Sequence, residues 1–221
     1  MALFAKFQRR NTFAFDRLME TARMVRAENP ASLRALAGLL LRPMQSEHLI
    51  EVAERETHAV GDGVCLETLF HPQLLTDMAY SGTLDTKIDE ATPYCLDLAK
   101  DIVFSTPWAK NRFSNTLGFI GNAPGQQAWR QDSNHRVTLV LPWYIGFVDG
   151  GNHSICAGIA TGQGRLEPHR VLDLEPLIKV SACDGRYYYR QDSRRRFPVT
   201  SHRAAAVFEI GRMLIDGQEA H

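Results

Sequence analysis

The chain has 221 residues, of which 44% are hydrophobic and 23% charged, and its 25 basic side chains balance its 25 acidic ones. A chain of this length forms one large domain or two small ones, and this composition excludes intrinsic disorder as its main state. The zero net charge excludes a histone-like nucleic-acid binder, so any contact with DNA has to come from a local basic patch.

Hydropathy and cysteine spacing predict a cytoplasmic protein without a membrane span. No run approaches the roughly 18 consecutive apolar residues that a membrane-spanning helix needs. Basic residues precede Asp16 without an apolar run, so we expect no secretory signal. The cysteines form no C-x-x-C pair, which predicts reduced thiols and no zinc site; they are Cys65, Cys95, Cys156 and Cys183.

Apolar side chains recur at three- and four-residue steps through residues 1–90, which predicts a helical region. One helix carries its apolar face on residues 13–25. The Asn-Pro pair at 29–30 favours the start of a second helix, because Asn caps helices and Pro suits their first turn. We expect Pro43 to end that helix and Ser46 to begin a third, followed by a short helical stretch at Leu66–Asp77.

Strand and turn patterns replace the helical pattern from residue 91 onward. Runs rich in β-branched and aromatic residues predict strands at Ile102–Phe104, Leu117–Ile120, Val137–Leu141, Trp143–Val148, Leu177–Ala182 and Arg186–Arg190. Asp184-Gly185 predicts a hairpin between the last two, and helices are expected at Ile155–Ala160 and His202–Asp216. The sequence thus predicts an α+β fold: a helical region over 1–90, packed on a mixed-sheet core over 91–221 that ends in a helix.

The stretch Phe147–Ile159 combines a strand, a glycine pair and a helix, and it carries the most chemical information. The glycines at 150–151 let the backbone turn sharply and approach a ligand closely. Free amides at the following helix start favour an anion such as phosphate, and Asn152, His153 and Ser154 add side-chain donors. The alternative is a plain strand-to-helix turn capped by Ser154, because no P-loop Gly-Lys-Ser/Thr follows.

The pattern strand, G-G-N-H-S, helix resembles the phosphate-binding loop of the ParB/sulfiredoxin superfamily, whose members carry G-G-C-H-R or G-x-x-R at this junction. Its Asn-His-Ser form, the L-P-W-Y-I run before it and the helical N-terminal region are similar to Osa/FiwA-type fertility-inhibition proteins of conjugative plasmids. The resemblance covers residues 95–190 and implies a ParB/sulfiredoxin-like mixed-sheet core. Gly150, Gly151, Asn152, His153 and Ser154 match its nucleotide loop.

The resemblance also implies an activity: hydrolysis of ATP with Mg²⁺ or another divalent cation, and cleavage of DNA. Proteins of this type use it to block transfer of a competing plasmid or T-DNA through type IV secretion. Asn152 stands where sulfiredoxins carry their catalytic cysteine, so reductase chemistry is not implied. The arginine of the ParB loop is also missing, which argues against a CTP switch.

Pro107, Lys110 and Arg112 resemble the ParB segment that ends in Arg and reaches the phosphates. Phosphoryl transfer needs cations that neutralise developing charge and a group that orients water. Lys110 and Arg112 would supply the first and His153 the second, as a base near neutral pH. With Asn152, these are the candidate catalytic residues; alternatively, Lys110 and Arg112 belong to a solvated loop.

A basic aromatic segment near the end of the core is the candidate DNA-binding surface. Arginines bind phosphates bidentately and aromatic rings stack on unpaired bases. The residues concerned are Arg186, Tyr188, Arg190, Arg194 and Arg195. The alternative is an ordinary hairpin with alternating Tyr and Arg. Asp149, Asp184 and Asp192 are the nearest carboxylates for a divalent ion, although no spacing selects among them.

Two classes of function fit these patterns. The first is an ATP-hydrolysing, DNA-cleaving enzyme that inhibits conjugation. The second is a catalytically silent protein of the same fold that binds the secretion or coupling machinery through its helical N-terminal region. A ParB-like DNA-binding protein ranks below both, because no helix-turn-helix segment is evident after the core.

Overall fold

The fold is α+β, as the sequence predicts, in the ranges that the computed structural model describes: 2–54, 63–79, 85–86, 94–191 and 194–218. The helices are α1 (Ala2–Glu28), α2 (Leu33–Glu54), α3 (Leu66–Leu69), α4 (Pro72–Ala79), α5 (Lys110–Phe119), α6 (Asn152–Thr161), α7 (Glu175–Lys179) and α8 (His202–Gln218). The strands are β1 (Asp85–Thr86), β2 (Leu96–Asp97), β3 (Val103–Phe104), β4 (Arg136–Leu141), β5 (Ile145–Gly150), β6 (Arg165–Leu166), β7 (Arg170–Asp173), β8 (Ser181–Cys183), β9 (Tyr187–Arg190) and β10 (Arg196–Pro198). The predicted boundary near residue 90 lies outside the described residues.

The C-terminal helix α8 packs against the N-terminal helices α1 and α2. The contact is close because α8 carries three consecutive alanines, at 204–206, all of them fully buried. Phe15 of α1, Leu41 of α2 and Phe208 of α8 belong to one hydrophobic cluster, which also includes Val140 of the central sheet. This shared cluster joins the helical region to the sheet. Burial of each of its large apolar side chains stabilises the folded state by roughly 1.5–3 kcal/mol.

Helix α2 continues through Pro43, so the predicted break between a second and a third helix is wrong. Buried side chains form one stripe on both sides of the proline: Leu33, Ala37, Leu41, Gln45 and His48. Gln45 Nε2 donates to the Val103 carbonyl at 2.9 Å, and His48 Nε2 lies 2.9 Å from Thr106 Oγ1. These tertiary contacts outweigh the cost of an interior proline, about 3 kcal/mol relative to alanine.

Pro43→Ala is expected to raise the free energy of unfolding by about 1–2 kcal/mol, because alanine restores an amide that can donate to the Leu39 carbonyl. Pro30→Ala is the matched control. Pro30 opens a 3₁₀ turn in which Asn29 Oδ1 accepts from the Ala31 amide at 3.1 Å, a position where proline is favourable. Urea unfolding followed by circular dichroism measures both variants, and equal stability of Pro43→Ala and the parent would contradict the expectation.

The central sheet has the strand order β1-β7-β4-β5-β3. The predicted strand pair is confirmed, because β4 and β5 are antiparallel, with Leu139 opposite Gly146. On either side, β7 is parallel to β4 and β3 is parallel to β5. Leu139 and its neighbour Val140 belong to different hydrophobic clusters, so both faces of β4 are covered. This explains the near-continuous apolar run.

Two predicted strands are partly helical in the structure. Residues 117–119 form the end of α5, and Ile120 makes only a single bridge with Gln127. Residues 177–179 belong to α7, and only 181–183 form a strand. Both runs are short, and hydrophobic periodicity does not separate a short buried strand from a buried helical turn.

Other local signals are confirmed. The Asp184-Gly185 turn joins β8 and β9 as an antiparallel hairpin, with Ser181 opposite Arg190. The helix expected at 155–160 is α6, and the one expected at 202–216 is α8. The stretch 66–77 contains α3 and α4, separated at Phe70 and His71. Within the described ranges, no helix combines the length and the apolar character that crossing a membrane requires.

Candidate functional site

The glycine pair forms the corner between β5 and α6, as expected; Gly150–Ser154 is called the corner below. Gly151 adopts the left-handed conformation, with φ 76° and ψ 20°, immediately before α6. A residue with a Cβ pays about 1–2 kcal/mol in that region. A Cβ at Gly151 would also collide with the His135 ring, and one at Gly150 would lie 2.7 Å from the Asn134 carbonyl oxygen. The geometry therefore requires both glycines.

The Asn152 side chain joins the start of α6 to the segment that follows β3. Its Oδ1 accepts from the Thr106 amide at 2.6 Å. The buried Ser105 hydroxyl lies 2.7 Å from the Asn152 carbonyl oxygen and 3.1 Å from Oδ1, and it shares its proton between them. Asn152 thus holds two backbone segments together beside the corner.

His153 joins the starts of α5 and α6. Its Nε2 accepts from the amide of Ala109, the residue that precedes α5, at 3.1 Å, so the proton of the neutral ring is on Nδ1. Burial lowers the pKa of His153, and the positive charge of Arg112 lowers it further. The ring is therefore neutral near pH 7. The nitrogen that a general base would use is engaged, so His153 must release Ala109 before it can take a proton.

Residues at the start of α6 and along α5 line one cavity of about 880 Å³. Helix α6 has ten residues, and the positive end of its dipole lies at the corner. Gly151 provides no side-chain cap for the first amides of α6. The polar groups on the walls include the side chains of Arg112, Arg136, Ser133, Ser154, Asp132 and Asp149. The cavity therefore presents amides, hydroxyls, two guanidinium groups and two carboxylates beside the corner.

Lys110 and Arg112 both belong to the first turn of α5, not to a loop. Arg112 lines the cavity, whereas Lys110 is exposed and does not line it. The structure therefore brings Arg112 together with the corner and leaves Lys110 on the outer side of the helix.

The candidate DNA-binding residues lie elsewhere, in and around β9 and β10. Tyr188 is 0% exposed, and its ring centroid lies 5.2 Å from that of Phe208. Because the ring is buried, Tyr188 cannot stack on a DNA base, and that expectation is wrong. Arg190 is buried as well, because alternate residues of β9 face the core. The remaining three candidates are exposed: Arg186, Arg194 and Arg195.

Carboxylates near the corner are few. Among the described residues, no group of three or more His, Cys, Asp or Glu side chains could hold a metal ion. Asp149 lines the cavity, and its Oδ2 accepts from the Thr138 hydroxyl at 2.9 Å. Asp184 instead accepts from the amides of Arg186 and Tyr187, while Asp192 lies outside the described residues. Mg²⁺ often binds through one or two carboxylates plus substrate phosphates. Asp149 and Asp132 both line the cavity and could provide those carboxylates.

Comparison with known proteins gives a family and no function. Residues 4–220 match a family of unknown function, DUF6710. The chain belongs to this family. Searches of curated proteins and of solved structures found no match. Its chemistry therefore has to be inferred from the geometry of the site.

Sequence reasoning in this DUF6710 chain missed Arg136 and the segment before it. Arg136 pairs with Gly150 across the β4–β5 hairpin, and this register brings it to the corner. The regular register of Val137 with Val148 would place Arg136 opposite Asp149, and an irregularity between Arg136 and Val137 brings it opposite Gly150 instead, so the strand pattern alone could not have found it. Cys156 is a small buried residue, and burial raises the pKa of its thiol to about 12.

Proposed function

We propose that this DUF6710 protein binds a nucleoside triphosphate, with the phosphates at the corner, and hydrolyses it. The single observation that carries the proposal is that the start of α6 and two arginines, Arg112 and Arg136, line one polar cavity at the corner. Helix starts favour anions through free amides and the helix dipole. Arginine binds phosphate oxygens with two parallel hydrogen bonds. The corner resembles the ParB/sulfiredoxin loop, and this resemblance points to the same ligand. The proposal therefore includes a ParB/sulfiredoxin-like mixed-sheet core.

In the proposed reaction, water attacks the γ-phosphorus while the bond to the β–γ bridging oxygen breaks. The amides of residues 152–154 hold the phosphate, and Arg112 neutralises the charge that develops on it. Asp149 is a carboxylate on the cavity wall that can accept a proton from the attacking water. Mg²⁺ would arrive with the triphosphate and reduce the repulsion between its oxygens.

The resemblance to Osa/FiwA-type proteins extends the proposal to DNA cleavage and to inhibition of conjugative transfer. The exposed arginines at 186, 194 and 195 are the candidate DNA contacts. They do not line the cavity, so the proposal involves two surfaces, one for nucleotide and one for DNA.

The bond between His153 and Ala109 favours a second candidate, a protein that binds nucleotide without turnover, because it occupies the nitrogen of the base that the resemblance implies. By the same resemblance, such a protein would inhibit by docking on the secretion or coupling machinery. In that case the role of His153 is purely structural, because it holds α5 against α6. Nucleotide binding without phosphate release would select this candidate over the enzyme.

Arg112→Ala is expected to weaken Mg²⁺-ATP binding and hydrolysis about tenfold or more, because the cavity loses a cation that contacts the phosphates. Arg112 is a sharper test than Asn152 or His153, since those two side chains also hold the backbone. Calorimetric titration measures binding, and release of inorganic phosphate measures turnover.

Arg203→Ala is the matched control for this test. Arg203 is exposed in the first turn of α8 and does not line the cavity, so binding and turnover should stay at the parent level. Unchanged ATP affinity in Arg112→Ala would remove the proposed site. Equal losses in both variants would show a general charge effect instead.

A further inference from the structure

We propose that Trp108 is the surface on which the base of the bound nucleotide stacks, which makes a purine nucleoside triphosphate the preferred ligand. This inference rests on the proposed binding of phosphates at the corner. Trp108 lines the cavity and is 42% exposed, whereas the other two tryptophans, Trp129 and Trp143, are buried. An indole in solvent at the mouth of a polar cavity offers a π-face that a base can cover.

The indole of Trp108 contacts the corner through the His153 ring. The centroids of the Trp108 and His153 rings are 5.3 Å apart, with the planes at 73°. His153 is itself held by the Ala109 amide, so Trp108 stands at a defined position beside the start of α6. A volume of about 880 Å³ lies within the usual range for small-molecule sites and leaves room for a base and sugar beside the phosphates.

The guanidinium of Arg112 lies over the Trp108 ring. Its Cζ lies 5.2 Å from the Trp108 ring centroid. A close guanidinium stack in the same chain, Arg34 on Tyr144, has a separation of 3.5 Å. Stacking of a base on this face requires the guanidinium to leave the ring, and we infer that it moves to the phosphates, with which it forms stronger, charge-assisted hydrogen bonds. Stacking favours purines over pyrimidines because their ring overlap is larger.

The test compares ATP with inorganic tripolyphosphate, which has the phosphates but no base. Calorimetric titrations with Mg²⁺ use the full chain and its Trp108→Ala and Trp108→Phe variants. We expect the parent to bind ATP about tenfold more tightly than tripolyphosphate. Trp108→Ala should lose this preference while keeping its affinity for tripolyphosphate, and Trp108→Phe should keep most of the preference because a ring remains. UTP should bind the parent less tightly than ATP.

Phe119→Ala is the matched control, since Phe119 is an exposed aromatic residue of α5 that does not line this cavity. It should keep the full preference for ATP. Equal affinities of the parent for ATP and tripolyphosphate, or an undiminished preference in Trp108→Ala, would overturn the stacking inference and leave the phosphate site standing. Failure of both ligands to bind the parent would overturn the proposed function and the stacking inference together.

Discussion

Tyr188→Ala is expected to lower the free energy of unfolding by about 3–5 kcal/mol, because it removes a fully buried aromatic ring from the shared hydrophobic cluster. The ring of Tyr188 lies edge-on to Phe70 and Phe208, with centroids 6.5 Å and 5.2 Å away. Burial also raises the pKa of Tyr188 well above its ordinary value, so the ring stays neutral over the physiological range. Urea unfolding followed by circular dichroism measures the loss.

Two variants separate the contribution of the ring from that of the hydroxyl. Tyr188→Phe keeps the ring and removes a buried hydroxyl that has no hydrogen-bond partner among the described residues. Because an unpartnered buried polar group costs about 1–3 kcal/mol, this variant should equal or exceed the parent in stability. Tyr187→Ala changes an exposed ring on the other face of β9 and should have a small effect. A loss in Tyr188→Ala no larger than that in Tyr187→Ala would contradict the burial of this side chain.

Gly151→Ala is expected to lower the free energy of unfolding by about 2–4 kcal/mol and to weaken ATP binding about tenfold or more. The left-handed backbone at φ 76° accounts for part of the cost. The rest comes from the new Cβ, which collides with the His135 ring and lies 3.2 Å from the Asn134 carbonyl oxygen. His135 cannot move freely, because it is buried and its Nδ1 accepts from the Asp132 amide at 2.7 Å. The start of α6 therefore has to shift, and its amides shift with it.

Gly125→Ala isolates the backbone contribution. Gly125 also has a left-handed φ, of +85°, but no described atom lies within 4 Å of the position that an added methyl group would occupy. The Gly125→Ala variant should therefore lose only about 1–2 kcal/mol and keep its ATP affinity. Equal destabilisation in both variants would show that the contact with His135 contributes nothing.

Local chemistry explains the predictions that succeeded. The β4–β5 pair follows from a run of β-branched and aromatic residues, and the β8–β9 hairpin follows from Asp184-Gly185. The corner follows from two glycines between a strand and a helix. Each of these signals lies within a few residues of the structure that it specifies.

The wrong predictions concern segments whose local structure depends on contacts with distant residues. Helix α2 passes through Pro43 because Gln45 bonds to Val103, which lies 58 positions further along the chain. Tyr188 is buried because Phe70 and Phe208 enclose it, although its neighbours in sequence suggest an exposed basic strand. Neither contact has any signature in the segment that it controls.

For the candidate site, the glycine pair between a strand and a helix predicted the corner, because glycine geometry is a local property. Arg112 was a candidate through the resemblance to the ParB segment, and its place in a helix was not predicted. Contacts between distant segments determine which side chains meet at the corner. An irregularity in the hairpin register places Arg136 opposite Gly150, and the packing of α5 on α6 leaves Arg112, and not Lys110, on the cavity side of α5. It also commits the Nε2 of His153 to a backbone amide. Pairing and packing are long-range properties, so no short segment encodes them alone.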